Sequence, residues 1–116
     1  MTLTNTIKRA EHIKLDSGVK KKWPKVSIVI INWNSLKNIT ECLESLRGVD
    51  YPHYEIIVVD NASTDDSAGQ VKRLFPEITL MKSERNLGFS GGNNIGMKLA
   101  MKNGADFVWL LNMVAQ

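Results

Sequence analysis

The sequence predicts an α/β domain: a parallel sheet with helices on both faces, a Rossmann-like three-layer sandwich. Three observations predict it. Four short apolar runs alternate with segments of helical period along most of the chain. The first two runs, VSIVII and YEIIVV, are nearly continuous in Val and Ile instead of alternating, as strands buried on both faces are. The segments that follow the runs are rich in Asn, Asp, Ser and Gly, whereas those that precede them read as plain connectors. In open parallel sheets ligands bind beyond the carboxyl ends of the strands, so that asymmetry marks the binding edge.

The elements follow in order. Residues 26–31 form the first strand; Asn34 and Ser35 then stand where side chains cap a helix that carries Leu36, Ile39, Leu43 and Leu46 on one face and closes at Gly48. Residues 54–59 form the second strand, ending at Asp60. Ser63, Thr64, Asp65 and Asp66 make a polar helix start, Ala68, Val71, Leu74 and Phe75 supply a buried stripe, and Pro76 ends the helix. A short third strand at 78–81 leads into an Asn- and Gly-rich loop at 84–94. Ile95, Leu99 and Ala100 continue as a helix to Asn103 and Gly104, and residues 107–111 form the fourth strand; the alternative to a ligand role for the loop is a helix entry that Asn93 or Asn94 caps.

Composition limits the possibilities. A chain of 116 residues with 43% hydrophobic and 23% charged residues suits one small domain. No apolar run approaches the roughly 20 residues of a membrane-spanning helix, and no signal peptide is readable. A single cysteine, Cys42, permits no internal disulfide; the cytoplasm is the expected compartment. The net charge of +3 is uneven, because residues 1–25 carry seven Lys/Arg against Glu11 and Asp16. These residues are expected to form a flexible, solvated leader before the domain at 26–116. Contact with an anionic membrane face is the alternative role for the leader; it has no nucleic-acid recognition motif. Neither GxGxxG after the first strand nor GxxxxGK[ST] occurs, which argues against dinucleotide and P-loop sites. His12 and His53 have no partner at ligand spacing.

Three segments, VSIVIINWNS (26–35), YEIIVVDNASTDDS (54–67) and RNLGFSGGNNIG (85–96), resemble the amino-terminal half of glycosyltransferase family 2, with its GT-A fold, in the flavour of the rhamnosyltransferase-like branch. The resemblance covers residues 26–112. It implies a nucleotide diphospho-sugar as ligand and assigns roles by position. Asn32 lines the nucleoside, with Asn34 and Asn61 beside it, and Asp60 contacts the base. Arg85 supplies charge to the diphosphate, Asn86 orients base or ribose, and Gly92 lets backbone approach the ligand. An ionised carboxylate only accepts hydrogen bonds, so Asp60 suits the N3–H of uracil or thymine and not cytosine. The reading that competes for Asp60 is a cap on the following turn. Trp33 is expected to pack at the strand end, with stacking on a base as the alternative.

The resemblance also implies Mg²⁺ or Mn²⁺, held by a DxD-like motif after the fourth strand. Asn112 occupies the first place of that motif, but Val114 stands where the metal carboxylate belongs, and valine offers no oxygen ligand. The expectation is therefore a truncated domain, the donor-binding part of an inverting transferase for UDP- or dTDP-sugars, that lacks the metal acid, the acceptor site and the catalytic base. The alternative is a non-catalytic nucleotide-binding or partner-binding remnant. An uncovered sheet face would favour self-association.

Overall fold

The computed structural model describes residues 7–14 and 23–113. One sheet holds β1 (Ile7–Lys14), β2 (Val26–Asn32), β3 (Tyr54–Asp60), β4 (Thr79–Lys82) and β5 (Phe107–Met113), in the spatial order β1-β5-β2-β3-β4. The last four run parallel, and β1 lies antiparallel along β5. Three helices join the parallel strands: α1 (Leu36–Leu46), α2 (Ser67–Leu74) and α3 (Gly88–Lys102). The architecture is the α/β sandwich that the sequence predicts.

The continuous apolar runs divide between two cores because successive side chains of a strand point to opposite faces. Ile28, Ile30, Ile56 and Val58 pack with Ile39, Leu43 and Leu46 of α1, Val71 of α2 and Phe75. Val29, Ile57, Val59, Val108 and Leu110 form the opposite core with Ala100 of α3. Gly96 sets the depth of that helix: a Cβ there would stand 2.3 Å from Val29 Cγ1, so only glycine lets α3 lie this close to β2.

Several boundaries differ from expectation, each for a physical reason. The helix α3 begins at Gly88, so most of the 84–94 segment read as a loop is helical. Its glycines mark close packing, since Cβ atoms at Gly91 and Gly92 would meet Leu87 and Ile31. Asn93 and Asn94 consequently sit inside the helix and cap nothing. Leu74 is 44% exposed, because α2 ends there and Phe75 takes the buried place. The third strand begins one residue later than expected, and β5 continues to Met113.

The largest departure lies in the leader. Residues Ile7–Lys14 are a strand, not a solvated tail, although they lack an apolar alternation. Edge pairing satisfies backbone groups whatever the side chains, and the outer edge of β5 would otherwise stand open. The rest of the leader, through Lys22, and residues 114–116 lie outside the described residues, as does the position of Val114.

The chain order creates the place for a site. Connections from β2 to β3 and from β3 to β4 step one way across the sheet, whereas β4 to β5 returns to the other side of β2. The boundary between β2 and β5 is therefore the topological switch point, where a crevice opens at the carboxyl ends.

Candidate functional site

A cavity of about 300 Å³ occupies that crevice, lined by Ile31, Trp33, Ser35, Asn38, Asn61, Asn86, Gly88, Phe89, Asn112 and Met113. Every wall comes from a carboxyl end: β2 and the start of α1, the residue after β3, the loop into α3, and the end of β5. Of the positions expected from sequence, Asn61, Asn86 and Asn112 line it. Asn32, Asn34, Asp60, Arg85 and Gly92 do not.

Asn32 and Asp60, 0% and 1% exposed, sit beneath it. Asn32 Nδ2 donates to Asp60 Oδ1 at 2.8 Å and to Ser67 Oγ at 2.7 Å. The Ser63 hydroxyl donates to the same Asp60 oxygen at 2.7 Å, and the Ser63 backbone N–H donates to Asp60 Oδ2 at 3.0 Å. Asp60 thus does in this structure what its capping alternative describes: it binds the 61–66 turn to the sheet. Asn32 Oδ1 is buried without a partner.

Asn34 reaches across from β2, its Oδ1 accepting the backbone N–H groups of Thr64 at 2.7 Å and Asp65 at 3.1 Å. Its left-handed backbone, φ 49°, suits an Asn and turns it away from the helix start. Neither Asn34 nor Ser35 caps α1 with its side chain. Ser35 Oγ donates to Trp33 O instead. Asp65 is held from the next turn: burial alone would raise its pKa, but the Ser67 hydroxyl and backbone N–H donate to its carboxylate and keep it below the usual range.

Asn61 spends both ends of its amide on the loop that forms the far wall. Its Nδ2 donates to Gly88 O at 3.0 Å, and its Oδ1 accepts from Ser83 Oγ at 3.2 Å and from Leu87 N at 3.4 Å. Gly92 serves the same wall, since a Cβ there would press on Ile31 and the Asn61 amide. Asn86 Oδ1 accepts from Gly88 N at 2.8 Å, leaving its NH₂ unspent. Asn38 and Asn112 make no side-chain hydrogen bond among the described residues. Three amides with unused capacity therefore meet a cavity edged by two exposed aromatic rings, Trp33 at 54% and Phe89 at 49%. Trp33 is not buried packing. Arg85 is exposed on the loop beside the cavity.

Asn38 and Phe89 are contributors that sequence reasoning missed. Asn38 was legible in principle, lying three residues after Ser35 on one helix face. Phe89 was not, because its segment reads as loop.

This arrangement can hold a flat, polar heterocycle: aromatic faces provide stacking, and amides supply both donors and acceptors. It cannot move a proton from its own walls, since none of the lining residues is an Asp, Glu or His. The side-chain donors around the cavity are amides, the Ser35 hydroxyl and a thioether, with no carboxylate; among the described residues no group of three or more His, Cys, Asp or Glu is arranged to hold a metal ion.

Comparison with known proteins gives a consistent picture. The model of the family described as glycosyl transferase family 2 matches residues 27–113. An uncharacterized glycosyltransferase of Bacillus subtilis, YwdF, is 38% identical over 78 residues, which make up 66% of this chain and 28% of that protein. The poly(ribitol-phosphate) β-N-acetylglucosaminyltransferase TarS of Staphylococcus aureus is 35% identical over 80 residues, 67% of this chain and 14% of TarS. Its structure spanning residues 1–349 in complex with UDP matches with a TM-score of 0.69 at 31% identity, covering 76% of this chain and 27% of that one. The mannosyltransferase PcManGT from Pyrobaculum calidifontis, in complex with GDP-Man and Mn²⁺, matches with a TM-score of 0.62 at 30% identity, covering 66% and 24%. The present chain thus spans between 14% and 28% of the length of these relatives. No helix among the described residues is long and apolar enough to cross a membrane.

Proposed function

This chain belongs to glycosyl transferase family 2, and from that premise we propose that its carboxyl-edge cavity holds the nucleoside diphosphate of an activated sugar. In this reading the region is the donor-binding part of an inverting transferase that passes sugar to a glycan or lipid-linked acceptor. The observation that carries the reading is the meeting of three amides with hydrogen-bonding capacity left and two exposed aromatic rings at the sheet's switch point. That combination matches the edge and face of a nucleobase.

Uridine or thymidine diphosphate is the nucleotide we propose, a choice supported by the resemblance to TarS, whose structure holds UDP. The enclosed state of Asp60 changes how the base is read. Asn38 and Asn112 can each present a carbonyl or an NH₂, and Asn86 an NH₂, so an amide-read base is discriminated less sharply than one read by a carboxylate. A preference for uridine over cytidine diphosphate of less than about tenfold, roughly one hydrogen bond, follows. Arg85, exposed on the loop next to Asn86, is the residue we propose for the diphosphate.

Since the walls hold no Asp, Glu or His, these 116 residues by themselves are expected to bind nucleotide without transferring sugar. Calorimetric titration with uridine, thymidine, cytidine and adenosine diphosphates tests the reading. Binding of the uridine and thymidine compounds, accompanied by quenching of Trp33 fluorescence that is lost in Trp33→Phe, is the expected result. No binding of any nucleotide, or equal binding of all four, contradicts it.

A further inference from the structure

The loop that carries Arg85 and Asn86 and leads into Phe89 has little of its own to hold it. Every residue from 84 to 90 is exposed, the amino end of α3 has no side-chain cap, and Gly88 turns the chain with φ 73°. Leu87, the aliphatic side chain on this stretch, is 37% exposed. A segment with so little buried apolar area opens locally at small cost unless hydrogen bonds pin it.

Those pins converge on one residue. Among the described residues, and apart from bonds within α3 and within the loop itself, Leu87 N–H donates to Asn61 Oδ1 at 3.4 Å, Gly88 O accepts from Asn61 Nδ2 at 3.0 Å, and Arg85 O accepts from Ser83 Oγ at 2.8 Å. Ser83 Oγ lies in turn 3.2 Å from Asn61 Oδ1. Asn61 is itself fixed: it is 2% exposed, its backbone N–H donates to Asn32 O at 2.9 Å, and a Cβ at Gly92 of α3 would come within 3.1 Å of its Nδ2. A buried amide wedged against α3 thus reaches the loop with both of its polar atoms.

We propose that Asn61 is the positioning residue of the site. It acts on the nucleotide through the loop, holding Asn86 and Phe89 where they face the cavity, and not as a contact to base or ribose. The proposal rests on the nucleotide reading above and replaces the place beside the nucleoside that the family resemblance assigns to Asn61. The apparent affinity of a site is its intrinsic affinity scaled by the fraction of molecules in which the site is assembled, so a freed loop weakens binding without removing any ligand contact.

The test measures amide hydrogen exchange of the ligand-free chain and calorimetric titration with uridine diphosphate, on the unmodified chain and on Asn61→Ala, Ser83→Ala and Asn103→Ala. Ser83 lies outside the cavity lining, so it reaches the ligand only through the loop. Asn103→Ala removes a partly buried amide at the opposite end of the sheet and controls for a general loss of stability. Circular dichroism first confirms that each variant keeps the fold. Asn61→Ala should speed exchange at residues 85–90 in the absence of ligand and weaken uridine diphosphate roughly tenfold, the scale of one hydrogen bond. Ser83→Ala should move both readouts the same way by less, and Asn103→Ala should move neither. Weaker binding with unchanged loop exchange in Asn61→Ala overturns the proposal, because that is the signature of a direct contact. So does faster exchange with unchanged affinity, or an equal weakening in Asn103→Ala. If Asn61→Ala does not fold, Ser83→Ala carries the test, and exchange and affinity like those of the unmodified chain overturn the proposal. If the unmodified chain binds no nucleotide, the nucleotide reading fails and the positioning role falls with it, even where exchange at 85–90 still depends on Asn61.

Discussion

The two ends of the sheet are built from similar polar residues to opposite effect. At the amino end Lys25 lies between Asn103 O, 2.7 Å from its Nζ, and Glu55 Oε2 at 3.4 Å, while its backbone N–H donates to Asp106 Oδ2 at 2.8 Å. Ser27 Oγ and Asn103 Nδ2 donate to the same Glu55 carboxylate. The result is a closed staple that ties β2, β3 and the α3–β5 turn together. At the carboxyl end the bonding is incomplete. Beneath the cavity Asn32 Oδ1 has no partner, along its wall Asn38 and Asn112 have amides to spare although Asn61 is fully tied down, and two non-glycine residues, Asn34 and Ala62, hold positive φ. Such backbone costs on the order of 1–3 kcal/mol per residue. One end spends all of these polar groups within the fold; the other leaves the Asn38 and Asn112 amides unspent.

Removing a buried anchor should separate the two layers of the carboxyl end most strongly. Asp60→Ala removes the acceptor shared by Asn32 Nδ2, the Ser63 hydroxyl and the Ser63 N–H and should lower unfolding free energy by about 3 kcal/mol, measured by urea denaturation. A loss of nucleotide affinity with unchanged stability would instead make Asp60 a direct ligand group. At the amino end, Lys25→Met removes one charge from a partly buried cluster and should cost about 1–2 kcal/mol of stability without altering nucleotide affinity. Any loss of affinity there would break the division between the ends.

Trp33→Ala should show the converse pattern: about 1 kcal/mol less binding energy for uridine diphosphate, near the low end for a base–aromatic stack, with stability changed by less than about 0.5 kcal/mol. Calorimetry and thermal unfolding read the two effects separately.

How much of this was legible follows the same division. The strands β2 and β3 and the helix α1 could be read because burial on both faces of a parallel sheet demands unbroken β-branched runs, and a helix that covers them demands a 3.6-residue stripe. The start of α3 could not, since a run such as GFSGGNN is loop chemistry until the depth of Val29 and Ile31 beneath it is known. Strand β1 was hidden because edge pairing is a backbone matter and leaves little pattern in side chains. Asp60 was found, and its burial was not: sequence shows that a carboxylate ends the strand, but not that Ser63 and Asn32 enclose it.

Two smaller effects sharpen the comparison further. Ala62 has φ 62°, so Ala62→Gly should raise stability by about 0.5–1 kcal/mol, the relief of a left-handed alanine less the added freedom of the unfolded chain. A decrease would mean that the turn is held by side-chain contacts and not by its hydrogen bonds. The smallest effect concerns Asp65, whose pKa is lowered in the folded chain. Its stabilising contribution is present above the unfolded carboxyl value, near 3.8, and fades as pH falls through the lower folded value. In acid titration monitored by circular dichroism, Asp65→Asn should flatten that part of the curve slightly.

Amide hydrogen exchange with and without uridine diphosphate reads the proposed confinement of ligand binding to the carboxyl end residue by residue. Adding nucleotide should slow exchange at residues 33–38, 61–65 and 85–92 and leave residues 25–27, 53–56 and 103–107 unchanged. Protection centred on the Lys25–Glu55–Asn103 end, or spread evenly over both ends, would contradict it.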